Sequence, residues 1–380
     1  MDKNTKMIVG AVIAIVVLWG GYALMGKQSV PATNEPIKIG VATFLSGDLA
    51  ALGENIVNTA QLAVDDINAK GGINGRQVQI IAEDAKCDSK TGLSAVSKLV
   101  NTDNVKYIVG GMCSNGTIAA APVANEHNVV LMTPVTGGRN VDEAGEYIFR
   151  TANSDLLAGR NIAEAMAKKG YKKVGVIAET TEYTIDIKKS FEQRANELGL
   201  TVAVAEEFQP NTTDFRTIAA KIKGENLEAV LVASQTGISG GNLIKQMKSL
   251  GINAPVFSDF LLVLNGDVKK ILGSFEGIYF ADPSYNADNA GLKNFFAAYK
   301  AKYGKDPVAP FHSAATYDDV QLLATAIKAV GDDSVKVHDW LTANVKSYKG
   351  FMGTYSIDQN GNSDLGFTVK VVKDGVPTDM

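Results

Sequence analysis

The sequence predicts an α/β protein of two doubly wound lobes, each a mostly parallel sheet layered between helices. Three observations predict it. From Ile37 onward, short apolar runs alternate with amphipathic stretches, the pattern of βαβ units with helices on both faces of a sheet. The alternation comes in two tandem series, the first ending near Thr151 and the second starting just beyond it. The chain after its N-terminal apolar segment runs to about 340 residues, more than one compact core usually holds.

The elements follow in order. Met7 to Met25 is an uncharged, mostly apolar run behind Lys3 and Lys6, about long enough to cross the hydrocarbon core of a bilayer. A cleaved signal would carry a shorter apolar region and paired small residues at its end, whereas Ala23-Leu24-Met25 supplies one. A lipoprotein signal would need a cysteine there. The run therefore reads as an uncleaved signal-anchor with its N-terminus inside and the rest exported, with cleavage as the competing reading. Residues 26–36, polar and proline-punctuated through Pro31 and Pro36, read as a linker.

Ile37–Ala42 is a strand, and Asn55–Asn68 a helix in which Ala60, Ala63, Val64 and Ile67 recur at helical spacing. Gly71-Gly72 stops it, since a left-handed cap costs glycine little. Strand and helix signals then alternate through Gln77–Ala82, Thr91–Val100, Tyr107–Gly110, Ile118–Glu126 and Val129–Met132. The second series contains the helix Leu156–Lys169, the strand Val174–Ala178, the helix Ile185–Leu198 and the strand Thr201–Ala205. It continues with the helix Phe215–Ile222, the strand Ala229–Ala233 and the helix Asn242–Leu250. In the tail, Gly353–Ile357 and Gly366–Val372 read as strands joined by turns.

Composition narrows the function classes. With 37 basic and 41 acidic residues, a net charge of −4 and no basic block, the chain has no footprint for nucleic acid. Gly40-Val41-Ala42-Thr43-Phe44 is not a dinucleotide-binding turn, and no phosphate-binding Gly-rich loop appears. His127, His312 and His338 are scattered and form neither a metal set nor a nucleophile's partner, so neither an enzyme nor a cofactor is expected. The two cysteines, Cys87 and Cys113, form a candidate disulfide if the chain is exported; two buried free thiols are the alternative. Closing a loop of that length stabilises a fold by about 3–4 kcal/mol in the chain-entropy model. Ser114 opens an apolar helix just after Gly110-Gly111, and a hydroxyl beside free N–H groups at a helix N-terminus makes a receptor for a carboxylate.

The run Asp66-Ile67-Asn68-Ala69-Lys70-Gly71-Gly72-Ile73-Asn74-Gly75, combined with the two cysteines, resembles the extracytoplasmic solute-binding proteins of branched-chain amino-acid ABC transporters. These are the Leu/Ile/Val-binding family of type I periplasmic binding proteins, and the resemblance extends from about Ile37 to the C-terminus. It implies Rossmann-like lobes joined by a three-segment hinge, with crossings near Thr151, near Phe280–Pro283 and near Gly350. Lobe I would comprise 37–151 plus 283–350, with segments from Asn286 to Val330 and Asp339 to Val345 returning to it as helices. Lobe II would comprise 152–282 plus 351–380.

The resemblance also implies a site. Ser114 matches the serine that takes the ligand's α-carboxylate. Val135 and Thr136 fall in the loop whose carbonyl and hydroxyl meet the carboxylate and ammonium, although the threonine here comes one position early and Gly137-Gly138 follows. Tyr183 aligns with a tyrosine that closes over the ligand, with Thr184 where glycine is frequent. Asp259 is the carboxylate nearest the position that faces the ammonium. Leu52 and Thr236 stand where aromatic residues can occur, so specificity for leucine does not carry over. The implied protein is monomeric and membrane-tethered at the extracytoplasmic face, or periplasmic if cleaved. It would deliver an amino acid to permease subunits; a ligand-sensing module of a signalling system is the alternative.

Overall fold

The structure, a computed structural model, describes residues 35–380. The expected anchor over 7–25 and most of the linker lie outside the described residues. Among the described residues, no helix is long and apolar enough to cross a membrane.

The first lobe opens with β1 (Ile37–Thr43), α1 (Ala50–Ala69), β2 (Val78–Asp84), α2 (Ser89–Asn101), β3 (Tyr107–Gly111), α3 (Ser114–Glu126), β4 (Val130–Thr133) and β5 (Ile148–Arg150). Its strands form one parallel sheet in the order β2-β1-β3-β4-β5. Alternate side chains serve opposite faces, as strand geometry requires. Ile39, Val41, Val109 and Met132 meet Ile56, Ala60 and Val64 of α1, whereas Ala42, Ile108 and Leu131 pack on Val96 and Leu99 of α2 and Ala120 of α3. Asp88 caps α2 by accepting from the Thr91 amide at 2.8 Å. The helix stop at Gly72 is obligatory: its φ is +76°, and a Cβ there would lie 2.0 Å from the Arg76 carbonyl oxygen.

The second lobe runs through α4 (Asp155–Lys168), β6 (Lys173–Glu179), α5 (Glu182–Glu197), β7 (Thr201–Phe208), α6 (Arg216–Glu225), β8 (Ala229–Ala233), α7 (Ile238–Ser249), β9 (Val256–Asp259), α8 (Phe260–Leu264), α9 (Gly266–Leu272) and β10 (Tyr279–Pro283). The chain then returns to the first lobe as α10 (Ala290–Tyr303), α11 (Pro310–Val330), α12 (Ser334–Asn344) and a small hairpin, β11 (Tyr348–Lys349) and β12 (Thr354–Tyr355). It closes on β13 (Phe367–Lys373) and β14 (Val376–Asp379), which add antiparallel to β10. The second sheet has the order β14-β13-β10-β9-β8-β6-β7. It too is covered on both faces, by α4 and α5 through Ile162, Met166, Ile187 and Phe191, and by α6 and α7 through Ile222, Ile244 and Met247.

The chain passes between the sheets three times, after Arg150, after Pro283 and between Tyr355 and Phe367. These passages are tied side by side. The Arg150 amide donates to the Gly361 carbonyl at 2.9 Å, and the Ser284 amide to the Gly366 carbonyl at 2.9 Å. Asn153 Oδ1 accepts from the Leu365 amide at 2.8 Å. The last passage falls later than position 350, because Met352, Tyr355 and Ile357 are buried in the first lobe's core. Asp318 of α11 holds that hairpin, accepting from the Phe351 and Met352 amides at 2.7 and 3.0 Å.

Candidate functional site

In open α/β sheets, ligands sit beyond the carboxyl ends of strands. Here the strand ends of both sheets face each other. From the first lobe come Cys113-Ser114 after β3 and the turn Val135-Thr136-Gly137 after β4; from the second come Tyr183 after β6, Gln235 after β8, and Phe260-Leu261 after β9. Together with Phe44, Leu49, Leu52 and Met112 they enclose a cavity of about 20 Å³. A larger crevice, about 410 Å³, lies beside it at Phe275, Phe280 and Phe311. It is the small cavity onto which the strand-end loops and their polar groups converge, so the site is placed there.

The lobes are drawn together around it. The Arg139 amide donates to Asp186 Oδ2 at 2.8 Å, Asn140 bonds Glu182, and Gln235 Nε2 donates to Cys113 Sγ at 3.4 Å. Phe44, Leu49, Leu52 and Cys113 of the first lobe pack within the second lobe's core cluster. Cys87 and Cys113 are joined as a disulfide, which fixes the residue just ahead of Ser114.

Ser114 is buried at the first turn of α3, and among the described residues no protein group hydrogen-bonds its Oγ. Helix first-turn amides have no intrahelical acceptor, so this corner seeks an anion. Leu52 and the half-buried Val135 are wall residues. Thr136 lines the cavity as well, but its hydroxyl donates to the Met112 carbonyl at 2.8 Å and meets Thr117 Oγ1 at 3.0 Å. That bonding fixes the turn rather than leaving the hydroxyl open.

The second lobe presents the opposite polarity. Tyr183 is buried, its hydroxyl has no hydrogen-bond partner, and burial with the charges of Asp259 and Asp155 holds its pKa well up. Asp259 sits just behind the wall. It accepts from the Ser234 amide at 3.0 Å and the Leu261 amide at 2.9 Å, capping α8, and burial pushes its pKa up to about 7 against those bonds. Thr236 is not on the wall: its carbonyl accepts from Asn265 Nδ2 at 2.7 Å, and Gln235 takes the position facing the cleft.

One residue escaped the sequence reading. Asp155, the first residue of α4, is 3% exposed, and its Oδ2 has no partner. Burial, with Asp186 nearby, raises its pKa well above the carboxylate range, and Arg150 only partly offsets this. Its amide donates to the Gly137 carbonyl at 2.9 Å, joining the two lobes at the ligand-facing turn. A Cβ on Gly137 would lie 2.4 Å from Asp155 Oδ1, so only glycine fits there. In the sequence, an acidic residue opening a helix looks like a dipole partner; its burial is what distinguishes it.

The cleft therefore pairs an anion-seeking corner with a cation-seeking one across an apolar gap. A family model described as periplasmic binding protein matches residues 36–373. The chain belongs to that family. Among similar periplasmic binding proteins, the leucine-, isoleucine-, valine-, threonine- and alanine-binding protein of Pseudomonas aeruginosa is 29% identical over 360 residues, spanning 93% of this chain and 94% of the relative. The Leu/Ile/Val-binding protein of Escherichia coli is 28% identical over 334 residues, 87% and 89% of the two chains. The branched-chain amino acid transporter substrate binding protein of Streptococcus pneumoniae, solved in complex with isoleucine, superposes with a TM-score of 0.81 at 30% identity. It covers 90% of this chain and 97% of its own. The family is one of solute receptors, not enzymes, and the two-lobed α/β architecture is that of its type I members.

Proposed function

We propose that the protein is an extracytoplasmic amino-acid receptor whose lobes close on a free zwitterion and present it to an ABC transporter permease. The observation that carries this is the unpartnered, buried Oδ2 of Asp155 opposite the unpaired hydroxyl of Ser114. A buried carboxylate without a cation is costly, and a ligand ammonium supplies that cation. The α-carboxylate goes to Ser114 and the first turn of α3, with the Val135–Gly137 turn alongside. Asp155, Asp259 and Tyr183 take the ammonium side, and Leu52 with Phe260 bounds the ligand side chain.

In this reading the three tied passages act as the hinge, between a lobe of about 37–151 plus 283 to the β11–β12 hairpin and a lobe of the remainder. Closure excludes water and strengthens each polar contact, and the ligand's preference for the closed form supplies the drive. The N-terminal run over 7–25 tethers the receptor, and the protein works as a monomer. The names of the relatives support amino acids as the ligand class. A thermal-shift screen of the L-amino acids tests it: at least one raises Tm by several degrees, and a flat response across amino acids, amides and short peptides contradicts the reading.

A further inference from the structure

Gln235 carries an inference about which amino acids fit, and it rests on the amino-acid reading of the cleft. Its backbone is fixed from the neighbouring strand: the Gln235 amide donates to Glu179 Oε2 at 2.7 Å, and the Ser234 hydroxyl to the same oxygen at 3.0 Å. Both Glu179 and Gln235 are buried. The side chain reaches across the cleft, Nε2 donating to Cys113 Sγ at 3.4 Å. A disulfide sulfur can only accept, which assigns the nitrogen to that side of the amide. The other atom, Oε1, has no partner among the described residues.

Gln235 supplies the amide side chain on a wall that is otherwise mainly apolar. Its contact with Cys113 places it at the apolar end, since Cys113 shares one core cluster with Phe44, Leu49, Leu52 and Phe260. The groups suited to the ligand's carboxylate and ammonium are Ser114, Tyr183 and Asp155. The amide accordingly meets the ligand's side chain rather than its head group.

We propose that Gln235 is a specificity-determining residue whose Oε1 accepts a hydrogen bond from the ligand side chain. The receptor then favours small neutral amino acids that carry a side-chain donor, such as threonine and serine, over aliphatic isosteres. An aliphatic side chain would strip water from Oε1 and return nothing, and sites built to bond a hydroxyl reject the analogue lacking it.

L-Threonine and L-valine differ by hydroxyl against methyl, so their affinity ratio reads this contact directly. Calorimetric titration of the full protein and its Gln235→Met variant measures it. The wild type should bind threonine about tenfold tighter than valine, and the variant should bring the ratio to about one or below while holding valine within about threefold. A ratio unchanged by the substitution overturns the proposal, even if both affinities fall together as they would for a merely structural side chain. Because the variant could misfold, the wild type alone also decides: valine bound and threonine rejected overturns it. If the wild type binds neither, nor any other amino acid, the amino-acid reading itself fails.

Discussion

The Asp155 amide donates to the Gly137 carbonyl at 2.9 Å, while the carboxylate of the same residue is buried with Oδ2 unpaired. One residue thus locks the two lobes at the ligand-facing turn and leaves a negative charge without its counterpart. Asp155→Asn separates these roles, since it keeps the backbone bond and removes the charge. Ligand affinity should fall by about 30-fold or more, the cost of removing one member of a buried charge pair. The ligand-free protein should melt at the same or a higher temperature, because an uncompensated buried charge has been removed. A matched fall in ligand-free Tm would show that Asp155 serves the fold instead.

Ser114→Ala tests the opposite corner. Ser114 Oγ has no protein partner to lose and makes no cap bond to its helix, so ligand-free stability should hold within about 0.5 kcal/mol. Affinity should drop by roughly tenfold or more, as expected when a charged acceptor loses a hydroxyl donor. Denaturant melts and titration calorimetry read the two effects separately.

Binding should depend on pH with a definite sign. Burial raises the pKa of Asp155 well above the usual carboxylate range and that of Asp259 to about 7, so both hold protons more tightly folded than unfolded. For the ligand-free protein, the stabilisation this gives is fully present below the unfolded carboxylate pKa and is lost as pH rises through about 7. An arriving ammonium favours the ionised forms, so binding should release protons near neutral pH and affinity should rise from pH 5 toward pH 8. Calorimetry in buffers of different ionisation enthalpy measures the proton count; uptake instead of release would contradict the assignment.

Disulfide removal should act on stability first. Cys87→Ser with Cys113→Ser opens a loop with a sequence separation of 26 and should cost about 3 kcal/mol. Affinity should fall too, because Cys113 borders Ser114 and receives the Gln235 amide across the cleft. Unfolding curves in guanidinium check the first effect and ligand titration the second.

Asp318→Ala should destabilise the first lobe by about 3 kcal/mol, since it strands the Phe351 and Met352 amides that anchor the β11–β12 hairpin. Ligand affinity should change little, and a melt with and without ligand distinguishes the two.

The strand–helix alternation was legible because parallel strands buried on both faces read as unbroken apolar runs, as in Tyr107–Gly111 and Ala229–Ala233. The start of α1 at Ala50, earlier than Asn55, was not, because its N-cap Leu49 makes no side-chain cap bond. Helices α8 and α9 are too short for periodicity to declare. In the site, Ser114, Val135, Thr136, Tyr183 and Leu52 line one cavity, each following a strand that pattern alone could find. The choice of Thr236 over Gln235 shows the limit of such reading, since one residue of register at a strand end decides which side chain faces the cleft. Asp155 was hidden for a different reason: its distinguishing property is burial between lobes, which local sequence does not encode.

The central claim is that the cleft recognises both charges of a zwitterion at once. Titration of the protein with L-valine, isobutylamine and 3-methylbutanoate, the last two lacking the carboxylate and the ammonium respectively, tests it most directly; where threonine is the tighter ligand, the same comparison uses threonine and its analogues. The account predicts binding of the amino acid and at least about 100-fold weaker binding of either single-charge analogue. An analogue that binds as tightly as its parent would contradict the claim.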